Sequence, residues 1–509
     1  FHWSQRKWDK ERKVWCVLIL SQEDLERLKG IFPEPYRERL FEKLEYKQRA
    51  RIIIYGARCK INGVRLDPTT LEILDSLMRF QPEGYEFSDA YKSGLWDGWI
   101  HLFNKEYQTF PIGFLEDVKK VLREQGYEVE IEDRREETGK TLNLKWNFQH
   151  ELWHHQKLAI STALEKKIAT IQLPTGSGKT VIALRIIYEL KKPTIIIVHT
   201  KELLYQWQRN IRKILGYEPG LIGDGNFIER DITVAMVQTA YKRELKRKYD
   251  IMIVDEAHHI PADTFYELAE RIFAKYRFGL TATAWRTDRK EKKIWAQAGT
   301  VAIKISVEDL VKEGILARPR FLIVHHRQPP ARKPEWQKGS RVFNKIYRNY
   351  IVRGEERNRA IVEIVSQLVK QGYKVYVDVY QVEHGKALAW MLKEKGIKAI
   401  FIHGGTPSKR RQEVLKNFEK DGFVLVSTLI KEGADLPAMS ACVLAGGRKS
   451  SIQVIQTIGR ALRTAPGKDH AVIVDFADQG AYVFQHYQQR IKIYRDYYGE
   501  LFQPEHVYL

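Results

Sequence analysis

The sequence predicts an α/β protein: two tandem doubly wound parallel-sheet domains behind a small α+β domain. Three observations carry this. First, the runs ATIQL, TIIIV, ITVAMV and IMIVDE are short, apolar and β-branched, and they alternate with amphipathic stretches such as VIALRIIYEL and ELLYQWQRNIRKIL. Strands apolar along their whole length are buried on both faces, as in a parallel sheet covered by helices. Second, the rhythm breaks around Arg327–Arg353, a stretch rich in Pro, Lys and Arg, and then resumes as AIVEIVSQLVK, KVYVDVY, AIFIHG, FVLVST, ACVLAG and AVIVDF. Third, 509 residues suggest about three domains at roughly 100–200 residues each, and 44% apolar residues supply several cores.

In chain order, residues 1–46 read as a mixed-charge extension, with a strand expected at Val14–Leu20 and a helix at Glu23–Lys29. Residues 47–140 form the accessory α+β domain. RIIIYGARCKINGVRL predicts a hairpin turning at Asn62-Gly63, because Asn-Gly tolerates the positive φ of a tight turn. Thr69 and Glu72 have capping-box spacing before the helix LEILDSLMRF. A strand is expected near Trp99–Phe103. Phe114, Leu115, Val118, Val121 and Leu122 share one face of a helix ending at Gly126, and Tyr127–Ile131 alternates as a strand. Residues 132–141 read as a linker. The first α/β unit takes residues 141–326 and the second 327–480. Residues 481–509 read as a terminal helix with a short aromatic tail.

Lys and Arg number 85 against 64 Asp and Glu, a formal charge of +21. Such an excess concentrates polyanions, nucleic acid foremost, although it also serves solubility. The 3 cysteines lie far apart and offer neither disulfide framework nor zinc-ligand spacing. A reducing compartment follows, and the cytoplasm is expected. No apolar run approaches the ~18 residues that span a bilayer, so no membrane partner is expected. RKWDKERKVWCVLIL runs into SQEDLERLKG with no small-residue cleavage site and is not read as a signal peptide. The pairs His154-His155, His258-His259 and His325-His326 are not read as metal ligands, since adjacent residues seldom ligate together. RELKRKYD (Arg243–Asp250) reads as a solvated loop or helix end.

LPTGSGKT (Leu173–Thr180) lies between a predicted strand and a predicted helix, the context a phosphate loop requires. Gly176 and Gly178 let the backbone fold round a phosphate. The N–H groups of Thr175–Lys179 and the helix N-terminus then point at the anion. Lys179 would reach the β- and γ-phosphates of ATP, and the Thr180 hydroxyl would hold Mg²⁺. IMIVDEAHH (Ile251–His259) is an apolar strand ending in two carboxylates, at the edge where an open α/β sheet places its ligand. Asp255 would hold Mg²⁺, and Glu256 would orient and deprotonate the attacking water. In QTIGRALRT (Gln456–Thr464), Arg460 and Arg463 face one side of a helix. They would reach a γ-phosphate held by the first unit, or else form a solvated basic face.

The order LPTGSGKT, DEAH, TAT, QxxGRxxR resembles the superfamily 2 helicases and translocases over residues 150 to about 476. The resemblance implies two RecA-like lobes with ATP between them. It implies Gln156, in LWHHQ, as the adenine-reading residue, where Trp153 and His155 depart from the family's frequent Arg and Tyr. Thr200 and Lys201 in VHTKELLYQW, Thr239 in VQT, His403 and Thr406 in FIHGGT, and Thr428 in LVSTLIKEGADLP would then contact the nucleic-acid backbone. Gly433 and Asp435 would approach the nucleotide. Gln456 joins Arg460 and Arg463 in the last motif. His258, Thr281 and Thr283 would couple hydrolysis to movement. Phosphate contacts carry no base information, so sequence-independent binding is expected.

Phe87–Ile131 resembles the N-terminal domain of UvsW-type phage helicases. Trp96 and Trp99 would form a DNA-facing loop or, equally, fill a small core beside an Asp-Gly turn. GLTATAWRTD and ISVEDLVKEGILARP also resemble XPB-type and restriction-translocase sequences. The reading is thus a DNA helicase or translocase acting on branched or duplex DNA, with 3′→5′ movement implied by the family. Alternatives are an XPB-like repair or transcription translocase, a motor subunit of a restriction complex, or a non-catalytic nucleic-acid scaffold, against which Lys179, Glu256 and Arg460 argue.

Overall fold

The computed structural model describes residues 6–9, 14–17, 27, 30–31, 48–257, 262–283, 290–332, 340–429, 436, 438–448 and 451–509. Strands β1 (Arg6–Asp9) and β2 (Val14–Val17) form an antiparallel hairpin. All but Arg27 of the helix expected at Glu23–Lys29 lies outside the described residues.

The accessory domain is a four-stranded sheet of β3 (Arg49–Tyr55), β4 (Arg58–Asn62), β5 (Thr109–Pro111) and β6 (Glu128–Asp133), in the order β5-β4-β3-β6. Helices Pro68–Met78 and Leu115–Glu124 bury Leu74, Met78, Val118 and Leu122 in one core with Ile52, Ile54 and Ile61 of the sheet. Three local expectations are corrected. The β3–β4 hairpin turns at Gly56-Ala57, where Tyr55 pairs Arg58, and Asn62 ends β4 instead. The helix cap is Asp67, whose carboxylate accepts from Thr70 N at 2.9 Å with Pro68 in the first turn, so Thr69 is already helical. The residues near Trp99–Phe103 make a single bridge, Phe80 to Ile100, while the edge strand is β5.

The connection after β6 is not a free linker. Arg135 donates to the carbonyls of Ala274 and Lys275 at 3.0 and 3.2 Å, Thr138 donates to Asp250, and Glu137 pairs with Lys275. Lys292 also donates to the carbonyls of Leu77 and Arg79, and Trp295 and Ala296 pack into the accessory core. The accessory domain is therefore bolted to the first α/β unit.

That unit carries β7 (Ile168–Gln172), β8 (Thr194–Val198), β9 (Gly220–Gly223), β10 (Asn226–Ile228), β11 (Ile232–Met236), β12 (Ile251–Val254), β13 (Tyr276–Thr281) and β14 (Val301–Lys304). Their order is β10-β9-β11-β8-β12-β13-β7-β14, parallel except for β10 against β9. Every residue of β8 and β12 is buried, as apolar runs between two helical layers require.

The second sheet contains β15 (Arg318–His325), β16 (Val375–Asp378), β17 (Ala399–Ile402), β18 (Val424–Ser427), β19 (Ala441–Val443), β20 (His470–Phe476) and β21 (Glu505–Tyr508). The order is β17-β18-β16-β19-β20-β15-β21, all parallel. The change of sheet therefore comes before Arg318 rather than at residue 327, because β15 pairs along its length with β20. The aromatic tail is also a strand of this sheet, β21, paired with β15. We refer to the two units as lobe one and lobe two.

Candidate active site at the seam of the two lobes

The phosphate loop follows β7 and ends at helix Lys179–Leu190. Gly176 and Gly178 take φ of 93° and 83°, a region that a Cβ disfavours. Space is as tight as conformation, since a Cβ at Gly178 would fall 2.3 Å from Gln156 Nε2. Gln156 Nε2 donates to the Ser177 carbonyl at 3.2 Å, and its Oε1 accepts from Trp153 N at 3.1 Å. In this structure the glutamine is thus engaged in holding the loop. His155, to which sequence reasoning gave no role, lies beside it. Its Nε2 is 2.9 Å from the Ser177 carbonyl and its Nδ1 is 3.1 Å from Glu313, on the connection to lobe two.

Lys179 Nζ donates to the Leu173 carbonyl at 3.2 Å and lies 3.6 Å from Glu256. The ammonium thus sits between the loop and the acidic pair that ends β12. Glu256 itself has φ 46°, a left-handed backbone rare outside glycine. Asp255 is buried, accepts from Trp207 Nε1 at 2.8 Å, and accepts from Glu256 N at 3.0 Å. Burial pushes its carboxyl up and the Glu256 charge adds to this. The Trp207 hydrogen bond and Lys179 pull the other way, and the carboxyl settles at about 6. Trp207 was read only as part of a motif; its amphipathic helix, Lys201–Leu215, aims the indole N–H at Asp255.

The loop has capacity in reserve. Thr175 Oγ1 and Ser177 Oγ are buried and have no hydrogen-bond partner among the described residues. Buried polar atoms ordinarily find partners. Two hydroxyls without them, in a loop whose backbone curls at two glycines before a helix N-terminus, fit a phosphate ligand. Thr180 lies in the first turn of that helix. Among the described residues no three His, Cys, Asp or Glu side chains cluster as a metal cage. A cation here would rest on Thr180, Asp255 and the nucleotide itself, the usual manner for Mg²⁺.

Lobe two closes on this loop. A Cβ at Gly459 would fall 2.9 Å from Thr175 Cβ, so helix Ser451–Ala461 packs directly on the phosphate loop. A Cβ at Gly176 would lie 3.1 Å from Leu316 Cδ2 and 3.5 Å from Arg463 Cγ. Gln456 and Arg460 are buried on the same helix, but Arg463 does not share its face: the helix ends at Ala461 and Arg463 is bridged to Leu316 beyond it. Tyr497, from helix Val483–Tyr498, comes near enough to Glu256 for that carboxylate to raise its phenol further, beyond the rise due to burial.

The remaining sequence-derived residues fall at strand ends. Thr281 closes β13 in register with Gln172, and Leu173 N donates to its carbonyl at 2.9 Å. Its hydroxyl donates to the Thr283 carbonyl. Thr200 follows β8 and caps helix Lys201–Leu215, accepting from Leu203 N at 3.3 Å, and exposed Lys201 pairs with Asp224. Thr239 follows β11, the neighbour of β8. In lobe two, His403 and Thr406 follow β17, joined by His403 N to Thr406 Oγ1 at 3.0 Å, and Thr428 follows the adjacent β18. Each lobe therefore carries its group on the C-terminal edge of its sheet. His258, Gly433 and Asp435 lie outside the described residues. Trp96 and Trp99 are half-buried in a tight turn: Trp96 Nε1 donates to the Trp99 carbonyl at 2.7 Å, and Arg79 stacks 4.9 Å over Trp99.

Residues 149–286 match the family model "Type III restriction enzyme, res subunit", 356–465 "Helicase conserved C-terminal domain", and 64–132 "DNA helicase UvsW, N-terminal". The chain belongs to the superfamily 2 helicases. Membership makes it an ATP-hydrolysing enzyme of the helicase class. Among its relatives is a DNA 3′-5′ translocase XPB2 of Sulfurisphaera tokodaii, 27% identical over 78% of this chain and 96% of the relative. The ATP-dependent DNA helicase uvsW of Enterobacteria phage T4 is 24% identical over 82% of this chain and 88% of that one. In fold, the chain resembles a putative HsdR subunit of a type I restriction enzyme from Vibrio vulnificus. The TM-score is 0.53 at 20% identity, over 71% of this chain and 69% of that one.

Proposed function

We propose that this superfamily 2 enzyme is an ATP-dependent DNA helicase or translocase, moving 3′ to 5′, that remodels branched DNA such as forks and four-way junctions. The observation that supports the reading is the packing of Arg463 and helix Ser451–Ala461 against the phosphate loop, an approach that would bring the Arg463 guanidinium of one lobe to phosphates held by the other. A matched accessory domain of the UvsW type and relatives named as DNA translocase and DNA helicase support DNA as the track.

In this reading residues 47–140 are the accessory domain, 141–317 the first RecA-like lobe and 318–509 the second, which takes in β15 and β21. Thr175, Gly176, Ser177, Gly178 and Lys179 hold the β- and γ-phosphates of ATP. Thr180 and Asp255 hold Mg²⁺, which supplies charge neutralisation on the phosphate oxygens. Glu256 accepts a proton from the attacking water. Arg460 and Arg463 stabilise charge on the transferring group, a contribution of about 10³–10⁵ in rate when supplied by an arginine finger. Closing the seam aligns these groups and loss of the γ-phosphate releases it. Strand-end residues of both lobes hold the sugar–phosphate backbone, so opening and closing becomes stepping. ATPase and unwinding assays over single-stranded, duplex, forked and four-way DNA, with an RNA duplex as control, test this. Forked and junction DNA should stimulate most; stimulation by RNA alone, or equal response to blunt duplex, sinks the branched-DNA role.

A further inference from the structure

The accessory domain, the connection after β6 and the N-terminal edge of the lobe-one sheet enclose a cavity of about 660 Å³. It lies on the opposite edge from the phosphate loop. Its floor, Arg243–Asp250, leads into the first residue of β12, whereas the loop leaves the last residue of β7. The wall is basic, with Arg134, Arg243, Lys246, Arg247, Lys248 and Arg271 around it. Of its carboxylates, Glu270 is neutralised by Arg58 at 2.8 Å and Asp250 is held by Thr138, leaving Glu136 and Glu244. Arg247 is paired with Asp231 at 2.8 Å. The ammonium groups of Lys246 and Lys248 have no partner among the described residues.

Aromatic rings interleave with these cations. Arg134 stacks over Tyr55 at 5.3 Å, Arg243 over Phe227 at 4.8 Å and Arg271 over Tyr241 at 5.5 Å. Phe273 stands at the cavity, 63% exposed despite being apolar, with one side of its ring against the backbone of Gly56. A basic groove with exposed aromatic surface is the construction used for single strands, where bases are free to stack on side chains. A double helix would have to be unstacked, at an energetic cost, before a base could lie on Phe273.

We propose that this cavity is a second nucleic-acid site, which holds a single-stranded phosphodiester segment through Lys246 and Lys248 and stacks a base on Phe273. It rests on the reading of the enzyme as a DNA translocase. Under it the accessory domain holds one separated strand away from the track on the C-terminal edges.

The test uses the full chain and a fluorescein-labelled oligothymidylate long enough to reach both edges, titrated by anisotropy over a salt series. Each single-strand phosphate contact contributes about 0.7 to the slope of log affinity against log salt. Lys246→Ala/Lys248→Ala should therefore lower the slope by about 1.4, and Lys246→Arg/Lys248→Arg should keep it. Phe273→Ala should weaken binding about 5–150-fold with the slope unchanged. Wild-type slope and affinity in the alanine double variant overturn the site. Binding of inorganic tripolyphosphate that the double variant loses, with oligothymidylate unaffected, replaces nucleic acid by a free polyphosphate as ligand and also overturns it. DNA-stimulated ATP hydrolysis by the wild type is measured alongside. Its absence removes the translocase reading, whereas its presence with unaffected variants removes only this site.

Discussion

Asp255 and Asp478 are both buried just past the C-terminal end of a parallel strand, one in each lobe, and their carboxyls are driven in opposite directions. At Asp478 burial raises the carboxyl. The Arg357 charge, hydrogen bonds from His326 and Arg357, and Arg490 outweigh it and hold the group at about 2. Arg357 Nε donates to it at 2.6 Å, and Arg490 is tied in turn to Asp475 at 2.8 Å. Asp255 has one tryptophan N–H, one backbone N–H and a lysine it shares with Glu256, and it sits at about 6. One fold thus builds two kinds of buried acid. Lobe two satisfies its charge internally and is structural there. Lobe one leaves its acid short of positive charge, as a site that completes itself with a cation and a nucleotide would.

The largest test of this contrast is Glu256→Gln. Removing a general base costs about 10²–10⁴ in turnover, while nucleotide binding through the loop should persist. Steady-state hydrolysis with parallel nucleotide-binding titration checks it, and wild-type turnover would dismiss Glu256 as the base. Next comes Asp478→Asn, which strands Arg357 in the core. Breaking a buried pair from one side costs about 3–5 kcal/mol, read by chemical denaturation, with turnover per folded molecule preserved.

Asp255→Asn should act in the opposite sense. A group whose folded value is raised stabilises fully below the ordinary 3.8, and that contribution is lost as pH rises through about 6. At neutral pH the ionised acid is therefore a burden on the ligand-free protein. The amide should raise stability by about 1–3 kcal/mol while abolishing hydrolysis. For Asp478 the sign reverses: its contribution is complete above 3.8 and is lost as pH falls through about 2. Denaturation midpoints of the wild type and both variants from pH 3 to 8 separate the two. A loss of stability in Asp255→Asn at pH 7 would break the comparison.

How much of this was legible in the sequence depended on the range of the interactions. The phosphate loop and the acidic pair were legible because the chemistry demands particular residues within eight positions, and the buried strands because apolar runs need two covered faces. The hairpin was misplaced because two glycines competed, and pairing of Tyr55 with Arg58, not the local appeal of Asn62-Gly63, decided between them. The sheet of β15 was misplaced because its partner begins at His470, some 150 residues away, and a parallel pairing leaves no local trace. Residues 132–141 read as a linker because their composition is polar; the first two end β6, and the polar groups that follow are spent on carbonyls and carboxylates of lobe one. His155 and Trp207 carry no local mark of what their ring nitrogens meet, and only the tertiary placement of Ser177 and Asp255 reveals what they hold.

Trp207→Phe gives the smallest and most discriminating effect. Phenylalanine keeps most of the apolar volume in the lobe-one core, where Trp207 is 1% exposed, and removes only the donor to Asp255. A hydrogen bond to a charged group contributes about 1.5–3 kcal/mol. Its loss falls on the ionised form alone, so the Asp255 carboxyl should move up from about 6. Hydrolysis at pH 7 should drop about twofold to fifteenfold as the ionised fraction of Asp255 falls, and recover towards the wild-type value as pH rises to 9. A packing defect would lower turnover at every pH alike. An acid limb displaced upward in the phenylalanine variant therefore identifies Trp207 as the residue that sets the charge of Asp255. A uniform loss would assign the indole to the core and leave lobe one's acid governed by burial, Glu256 and Lys179.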